Sequence, residues 1–379
     1  MGTLMEGLEH TMTKETDEQI KYYSLNAILE LEAVYNVVVG ERSNGKTYAT
    51  LKHGLEKYLK DGKEVAIIRR WKEDITGRRA RAIWDGIESN NVVSELTDGE
   101  YEGIYYYGGR YYLCTYEDGK AIYNETDVFA HVFALSDTEH NKGVSHPHVG
   151  TIIFDEFITK GTYLRDEFVI FMNTVSTIVR KRTDVEIFML GNTVNRFNPY
   201  FKEMGLTHAN QMEQGTIDLY KYGDKGLTVA IEYAEGSLSR SGNDFYFAFD
   251  NPKLEMITDG AWELDMYPHA PMKFLPKHIQ FIYFIVFDEQ IYQCEIVMVD
   301  DVTFTYIHEK TTPLKDKEND LIYTFDYVPR LNYSRNIYNP INKLQQRVLW
   351  YFSTDRVFYQ DNSVGDAINN FLKMCQQAM

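Results

Sequence analysis

The sequence of 379 residues is poor in cysteine and in long apolar runs, and both shortages exclude classes of protein. Its three cysteines, Cys114, Cys294 and Cys375, lie far apart in no CxxC or metal-ligand spacing, so neither a disulfide framework nor a zinc site is predicted. The longest apolar stretch, residues 280–287, is too short to cross a bilayer, and the polar, acidic start does not resemble a signal peptide. We therefore expect a globular protein of the reducing cytoplasm with no membrane partner.

Positive charge is also scarce. The chain has 39 Lys and Arg against 56 Asp and Glu, a net charge of -17, which argues against a protein that coats nucleic acid over its whole surface. Any contact with DNA must then be local. Two segments, residues 69–81 and 327–354, are basic, and the second contains no acid. They are either ordinary solvated faces or DNA-binding segments. The candidate DNA-binding side chains are Arg78, Arg79, Arg81, Arg330, Arg335, Lys343 and Arg347.

A phosphate-binding loop is the most specific motif. The letters GERSNGKT, residues 40–47, match G-x-x-x-x-G-K-[ST], follow an apolar strand predicted over 35–39 and open a helix predicted over 46–59. In such a loop the backbone N–H groups turn toward the phosphates, the lysine reaches the β- and γ-phosphates, and the last hydroxyl binds Mg²⁺. ATP and Mg²⁺ are the expected cofactors. The candidate nucleotide-binding residues are Gly40, Arg42, Asn44, Gly45, Lys46 and Thr47.

A pair of carboxylates supplies the second half of an ATPase site. In TIIFDEF, a buried strand predicted over 149–154 ends in Asp155 and Glu156. Asp155 is expected to bind Mg²⁺ together with Thr47, and Glu156 to accept a proton from the attacking water. Alone, such a pair would more simply cap the next helix. Downstream of a phosphate-binding loop, it favours hydrolysis.

Three further side chains are weaker catalytic candidates. Asn192 follows a strand predicted over 185–190, where it could sense the γ-phosphate through the lytic water or simply turn the chain. Arg180 and Arg182 end a helix predicted over 164–182, where arginines complement the helix C-terminus. In a ring, either arginine could reach the γ-phosphate of a neighbouring subunit. Arg42 is the competing candidate and would act within its own chain.

Strands alternate with helices in the first part of the chain, which predicts an α/β doubly wound sheet. An N-terminal helix is expected over 17–32, a second strand over 65–68, and a Tyr-rich antiparallel hairpin over 101–123. We predict that residues 1–205 form this P-loop domain and that residues 206–230 form a linker.

The composition changes after residue 201, and a Gly/Ser-rich loop follows. Apolar runs over 281–287, 291–299 and 303–308 predict a three-strand meander, and a helix is expected over 363–375. We therefore predict a second, α+β domain over 231–379.

Four blocks of the sequence resemble the DNA-encapsidation (packaging) ATPases of small podophages with protein-primed linear genomes, the Picovirinae type. They are YNVVVGERSNGKTYA, VAIIRRWKEDI, VGTIIFDEFI and GNTVNRFNPYF, in that order. The resemblance covers about residues 35–202 and is weak beyond. It implies an additional-strand catalytic-glutamate (ASCE) P-loop fold and a C-terminal RNase H-like domain. It also makes Asp155 and Glu156 the Walker B pair, Asn192 the coupling residue, and Arg180 or Arg182 the arginine supplied in trans.

The function that the resemblance implies is an ATP-driven motor that translocates double-stranded viral DNA into a prohead. The implied partners are the portal, or connector, of that prohead and further copies of the chain in a pentameric ring, and a structural RNA remains open. The motor would work in the cytoplasm of the infected bacterial host, transiently on the portal vertex.

Two other functions remain open at this stage. One is a terminase large subunit with an active metal-dependent nuclease, and the other is a structural ring that binds nucleotide without turnover. A terminase nuclease needs an acidic cluster that begins within its first strand. The corresponding strand here, QFIYFIVF, has no carboxylate, and Asp288, Asp300 and Asp301 lie outside the strands. We therefore expect a nuclease fold without nuclease activity.

Overall fold

The computed structural model forms two β-sheets with helices packed against them. The helix predicted over 17–32 is described only from residue 23, and there it forms a single turn, α1, Asn26–Leu29. No helix in the described part of the chain is long and apolar enough to span a membrane. The described residues are 23–137, 146–159, 163–193, 198–224, 226–235, 267–270, 273–315 and 318–377.

Ten strands form the first sheet. They are β1 Tyr35–Gly40, β2 Glu64–Arg69, β3 Gly103–Tyr107, β4 Arg110–Glu117, β5 Lys120–Tyr123, β6 Ala130–Ala134, β7 Val149–Asp155, β8 Glu186–Asn192, β9 Thr216–Tyr222 and β10 Leu227–Tyr233. Their order is β3-β4-β6-β2-β7-β8-β1-β10-β9, and β5 pairs with β4. The six strands from β6 to β10 in this order are parallel to one another. The predicted doubly wound sheet is confirmed, and the predicted hairpin is a three-stranded antiparallel extension.

Strand β8 lies between β1 and β7, which places an additional strand between the phosphate-binding strand and the Asp155 strand. This is the arrangement for which the ASCE class is named. The central strands are buried on both faces, as expected of a parallel sheet covered by helices. The helices of this domain after α1 are α2 Lys46–Asp61, α3 Gly77–Ala82, α4 Asp85–Ser89, α5 Val92–Leu96, α6 Glu167–Val179 and α7 Pro199–Glu203.

Successive side chains of β1 point to opposite faces of the sheet, and the apolar core is divided between these two faces. Val37 belongs to a cluster that contains Phe171 of α6. Val38, one residue on, belongs to the opposite cluster with Leu55 of α2. Each cluster buries apolar side chains from one helical layer, so α2 and α6 are held on opposite faces of β1.

The prediction that residues 206–230 form a linker is wrong for the part from residue 216 onward. Strand β10 pairs in parallel with β1, with Ile231 opposite Val37, and β9 pairs with β10 as the outer strand. Both strands belong to the sheet of the nucleotide-binding domain. Composition gave no sign of this, because membership in a sheet depends on pairing with β1, nearly two hundred residues earlier in the chain. Strand β6 was not predicted either, because its place in the sheet likewise depends on pairing with a strand far away in the chain, β2.

The second sheet contains β11 Ile279–Phe287, β12 Gln290–Val299, β13 Val302–Glu309, β14 Leu321–Thr324, β15 Tyr333–Ser334 and β16 Val357–Tyr359. The order is β15-β14-β11-β12-β13-β16, and the predicted meander, β11 to β13, is antiparallel. Strand β14 is parallel to β11, and β16 is parallel to β13. Two helices pack on this sheet through Val348 and Phe371, α8 Lys343–Ser353 and α9 Asn362–Gln377. The predicted α+β architecture is confirmed.

Candidate nucleotide-binding site

The carboxyl ends of four parallel strands meet at one edge of the first sheet. They bring together Gly40 of β1, Asn192 of β8, Asp155 of β7 and Arg69 of β2. A cavity of about 610 Å³ opens at this edge, a volume typical of small-molecule sites. The lining residues are Arg42, Ser43, Asn44, Gly45, Lys46, Thr47, Tyr48, Arg70, Asp155, Glu156, Ile158, Thr159, Leu190, Gly191 and Asn192. The structure therefore gathers the predicted phosphate-binding loop, the Asp155–Glu156 pair and Asn192 around one space.

The phosphate-binding loop has backbone conformations that fit its sequence. Gly45 has a φ of 95°, which is strained for any residue with a Cβ atom. A Cβ atom on Gly40 would lie 3.2 Å from the Cβ of Ala234 and 3.3 Å from Nδ2 of Asn44, so this position requires a close approach of backbone to side chain. Helix α2 begins immediately after Gly45. Its free N–H groups and its dipole therefore face the cavity, as anion binding requires.

Lys46 lies at the centre of the loop and only 5% of its surface is exposed. Its Nζ donates to the carbonyl oxygen of Glu41 at 2.6 Å, to Oδ1 of Asn44 at 3.1 Å and to Oδ1 of Asn192 at 3.4 Å. Burial lowers the pKa of Lys46 to about 8, although Asp155 and Glu41 act in the opposite direction. An anionic ligand would compensate this desolvation directly.

Asn44 provides a test of whether the loop fits a phosphate group. Its Oδ1 accepts from the backbone N–H and the Nζ of Lys46, whereas its buried Nδ2 has no hydrogen-bond partner among the described residues. A buried donor without an acceptor is costly in a folded protein. Because Asn44 lines the cavity, a phosphate oxygen is a suitable acceptor, and the loop fits the ligand that its sequence predicts.

Thr47 and Asp155 supply oxygen atoms suited to Mg²⁺. The Thr47 hydroxyl donates to Oδ1 of Asp155 at 3.2 Å. Mg²⁺ is usually held by one or two carboxylates together with substrate phosphates and water. The described residues contain no group of three or more His, Cys, Asp and Glu side chains that would form a complete metal cage. The pair thus fits a metal ion that arrives with a nucleotide.

Arg69, the first residue of the basic segment 69–81, contacts both carboxylates of the Asp155–Glu156 pair. Its Nη2 lies 2.6 Å from Oδ2 of Asp155, and its Nη1 lies 3.0 Å from Oε2 of Glu156. The position of Arg69 could have been found from the order of the strands in the sheet. Arg69 ends β2, the parallel neighbour of β7, so its side chain emerges at the same edge of the sheet.

Glu156 combines a strained backbone with an accessible side chain. Its φ is 60°, in the left-handed region that non-glycine residues rarely adopt, and such conformations cluster at functional sites. The carboxylate is 65% exposed, whereas that of Asp155 is 8% exposed. The Glu156 carboxylate is open to a water molecule at the mouth of the cavity, whereas the Asp155 carboxylate is nearly buried in the cavity wall.

Arg180 and Arg182 lie at the opposite edge of the sheet. The predicted helix ends earlier than expected, and Arg180 follows it in a left-handed conformation with an exposed side chain. Arg182 Nη2 donates to the carbonyl oxygens of Val149 and His146, at 2.6 and 3.3 Å, near the start of β7. A helix that follows β7 must return to the amino-terminal edge before β8 begins. The structure therefore does not bring either arginine to the cavity of its own chain, whereas exposed Arg42 lines that cavity.

The candidate DNA-binding side chains are all exposed and fall in two places. Arg78, Arg79 and Arg81 lie on α3, beyond the carboxyl end of β2, and Arg79 pairs with Asp74 at 2.9 Å. The others belong to the second domain, where Arg335 donates to the carbonyl oxygen of Phe325 at 3.2 Å and Arg347 to the Tyr351 hydroxyl at 3.3 Å. The members of this second group are Arg330, Arg335, Lys343 and Arg347.

The three carboxylates considered for nuclease chemistry, Asp288, Asp300 and Asp301, do not lie together. Asp288 lies in the turn between β11 and β12, and Asp300 and Asp301 lie in the turn between β12 and β13. The two turns are at opposite ends of β12, a strand of 10 residues, which separates them by about 30 Å. This placement does not favour a two-metal nuclease site built from these three carboxylates.

Comparisons with known proteins point to one family. The model of the Podovirus DNA encapsidation protein (Gp16) family matches residues 17–213, just over half of the chain. The DNA packaging protein of Bacillus phage phi29 is 28% identical over 183 residues, 48% of this chain and 49% of the relative. That of Bacillus phage B103 is 30% identical over 182 residues, 47% of this chain and 50% of the relative. The chain thus matches about half the length of these relatives.

Two solved structures share the fold along most of the chain. The bacteriophage Phi-29 viral genome packaging motor assembly has a TM-score of 0.54 and 19% identity, covering 94% of this chain and 99% of the other. The Phi-28 gp11 DNA packaging motor also has a TM-score of 0.54, with 18% identity, and the coverage is 94% and 98%. At these identities the likeness concerns the fold. It extends the similarity from the nucleotide-binding domain to the second sheet.

Proposed function

The chain belongs to the Podovirus DNA encapsidation protein (Gp16) family, and from this premise we propose that it is an ATP-driven motor that translocates double-stranded viral DNA into a prohead. One observation carries the proposal: a single cavity joins the buried Lys46 of a phosphate-binding loop to the exposed carboxylate of Glu156. The first group binds phosphate, and the second is suited to activating water. A protein that only bound nucleotide would not need the second.

In the proposed reaction, the phosphate-binding loop holds ATP through the N–H groups at the start of α2, the Lys46 ammonium and the Nδ2 of Asn44. Thr47 and Asp155 would hold Mg²⁺, which would offset negative charge on the β- and γ-phosphates. Lys46 must then exchange its contacts with Glu41 and Asn192 for phosphate oxygens. Because Asn192 gives up this contact, its position depends on whether the γ-phosphate is present.

Glu156 acts in this proposal as the general base. Its carboxylate accepts a proton from the water that attacks the γ-phosphate, and it must first leave Arg69, whose Nη1 lies 3.0 Å from it. Arg69 also neutralises Asp155, so a divalent cation would take over this role when nucleotide binds. The site would therefore become active only after the charges around the two carboxylates rearrange.

The remaining parts of the proposal rest on family membership and on the distribution of charge. The motor acts in the cytoplasm of the infected bacterial host, as a ring on the portal vertex of the prohead. The expected assembly has five subunits, and a structural RNA between motor and prohead stays open. DNA is gripped by local basic surfaces, because the net charge of -17 leaves no broad one. In the ring, Arg180 or Arg182 of one subunit, or Arg42 of the same subunit, completes the γ-phosphate contacts.

The experiment that tests the proposal measures movement rather than binding. The protein is added with ATP and Mg²⁺ to a DNA duplex that carries a triplex-forming strand, and release of that strand is followed over time. We expect ATP-dependent release by the wild type and none by Glu156→Gln, which still binds nucleotide. If ATP is bound tightly but neither hydrolysed nor used to displace the strand, the chain is a nucleotide-binding ring. Nicking of plasmid DNA with Mn²⁺ would instead indicate a terminase with an active nuclease.

A further inference from the structure

Arg70 follows Arg69 but contacts a different set of groups. Its side chain is 6% exposed, and its Nε donates to both carboxylate oxygens of Glu167, at 3.1 and 2.9 Å. The guanidinium also lies 5.0 Å from the centre of the Tyr163 ring, a distance typical of a cation–π contact. The two consecutive arginines at the end of β2 therefore have different partners: Arg69 contacts the carboxylates of Asp155 and Glu156, and Arg70 is a nearly buried part of the cavity wall that contacts Glu167.

The two terminal nitrogens of Arg70 bind the backbone that carries the proposed catalytic glutamate. Nη1 donates to the carbonyl oxygen of Glu156 at 3.1 Å, and Nη2 donates to that of Phe157 at 2.7 Å. Glu156 is the residue with a φ of 60°. A strained backbone conformation persists only where contacts with its surroundings hold it in place. The two charge-assisted hydrogen bonds from Arg70 to successive carbonyl oxygens are such contacts.

Arg70 is itself fixed by Glu167, whose side chain is fully buried. One oxygen of this carboxylate accepts from the Tyr200 hydroxyl at 2.6 Å, and the other accepts from the backbone N–H of Leu164 at 2.7 Å. Tyr200 belongs to α7 and Glu167 begins α6, so the cluster joins the segments that follow β2, β7 and β8. Removing two charges from water is costly, and apolar residues would fill such a space at lower cost. The pair is better explained by the conformation that it imposes.

Resting on the proposed function, we propose that Arg70, held by Glu167 and Tyr200, is a positioning residue for ATP hydrolysis. It fixes the peptide after Glu156 in the left-handed conformation and thereby directs the Glu156 carboxylate along the mouth of the cavity. The hydrogen bonds of the Arg70 guanidinium go to Glu167 and to the carbonyl oxygens of Glu156 and Phe157, so its effect on hydrolysis is exerted through Glu156. Because the cluster includes Tyr200, a movement of the segment after β8 also changes the position of Glu156, through Glu167 and Arg70.

The test uses Arg70→Lys, which keeps the charge but cannot bind a carboxylate and two carbonyls with one planar group. We expect kcat for ATP to fall about 10–100-fold, as for a displaced catalytic group, while the Kd for a non-hydrolysable ATP analogue changes less than about threefold. The matched control is Arg165→Lys, at a side chain that is 89% exposed and outside the cluster, and it should leave both values unchanged. An unchanged kcat in Arg70→Lys would overturn the proposal.

A double-mutant cycle separates positioning from a general structural effect. If Arg70 acts through Glu156, then adding Arg70→Lys to Glu156→Gln should change the remaining rate less than about twofold. Multiplicative losses would assign Arg70 an independent role and refute the proposal. Tyr200→Phe is the milder variant, should Arg70→Lys prove unstable. It removes only the hydroxyl bound to Glu167, and we expect kcat to fall about 3–10-fold with unchanged analogue binding.

A measurement that needs no turnover distinguishes failure of this inference from failure of the proposed function. Hydrogen exchange of the backbone amides of residues 156–159 is compared between wild type and Arg70→Lys, with α2 as the internal reference. We expect exchange about tenfold faster in this segment alone. Unchanged protection would refute the positioning role even if kcat falls. A wild type that hydrolyses no ATP while the segment behaves as expected would refute the proposed function instead.

Discussion

The ammonium group of Lys46 is buried among oxygen atoms of Glu41, Asn44 and Asn192, and burial lowers its pKa to about 8 from 10.5. A bound phosphate favours the charged form and raises this pKa again. Above pH 8 the free protein has lost the proton, so nucleotide binding must take one up. Below about pH 7 the group is charged in both states and contributes no pH dependence.

We therefore expect the Kd for ATP to rise with pH above 8, by up to about tenfold per unit, together with proton uptake. Calorimetric titrations at pH 7, 8 and 9, in buffers of different ionisation heat, measure both quantities. Lys46→Arg is the matched control, because arginine keeps its charge throughout this range and should flatten the dependence. A Kd that is independent of pH in the wild type would contradict the described environment of Lys46.

Arg69 holds Asp155 and Glu156 together through an ion pair with each carboxylate. In Arg69→Met, the nearly buried Asp155 loses its charged partner, and we expect the free energy of unfolding to fall by about 2 kcal/mol. Mg²⁺ with nucleotide supplies the missing positive charge, so the rise in Tm on adding both should be larger than in the wild type. Thermal melts with and without ligand measure this difference. Arg165→Met, at an exposed position, should behave like the wild type; an equal ligand effect in Arg69→Met would contradict the assigned role.

At the scale of elements, what the sequence predicts correctly is local. The GERSNGKT loop, the strand before it and the helix after it are adjacent in the chain, and the same holds for the strand that ends in Asp155 and Glu156. Their apolar runs and turn residues carry enough information. The shared edge of Gly40, Asp155 and Asn192 also follows from parallel strands ending together.

The contacts that the sequence does not predict depend on which strands become neighbours. Arg69 meets Asp155 only because β2 pairs with β7, and Arg70 meets Glu167 through the same pairing. The position of Arg182 near the start of β7 depends on topology in the same way. Helical periodicity predicts a helix before β8 but not the direction in which it runs. Because β7 and β8 are parallel, the helix between them must end near the edge of the sheet opposite the cavity.

Strand β10 provides an element-scale test, since composition suggests a linker and the structure places a core strand there. Ile231 is fully buried and pairs opposite Val37 of β1. We expect Ile231→Ala to lower the free energy of unfolding by about 3 kcal/mol. Leu219→Ala on the neighbouring β9, where the side chain is 42% exposed, should change it by less than about 0.5 kcal/mol. Denaturant unfolding measures the free energy of unfolding of both variants. Equally small effects would contradict the placement of β10 in the core and favour a linker.

At the scale of the whole molecule, the chain combines a strongly acidic composition with a proposed DNA partner. The acid-free stretch of the second domain, residues 327–354, presents exposed Arg335 and Lys343. We expect Arg335→Glu with Lys343→Glu to weaken DNA binding and to reduce the slope of log K against log salt by about two, one per lost phosphate contact. All DNA sequences should be affected alike, because a motor that reads bases would stall.

The matched control for this surface reverses Lys273 and Lys277, which are exposed in the same domain but outside the acid-free stretch. Binding isotherms over a range of salt concentrations should show a wild-type slope for this control. If the two double variants lower the slope equally, the effect is one of net charge, and the acid-free stretch is not the DNA contact. A reduced slope after reversing Arg78 and Arg81 instead would place the contact on α3.

One cavity is proposed to bind ATP through Lys46 and to hydrolyse it through Glu156. The direct test measures phosphate release by the purified protein with Mg²⁺ and ATP, with and without double-stranded DNA. The Glu156→Gln variant is measured in the same assay. We expect hydrolysis that DNA stimulates and that Glu156→Gln lowers by at least about a hundredfold, with unchanged nucleotide affinity. Hydrolysis that persists in Glu156→Gln at the wild-type rate would contradict the claim.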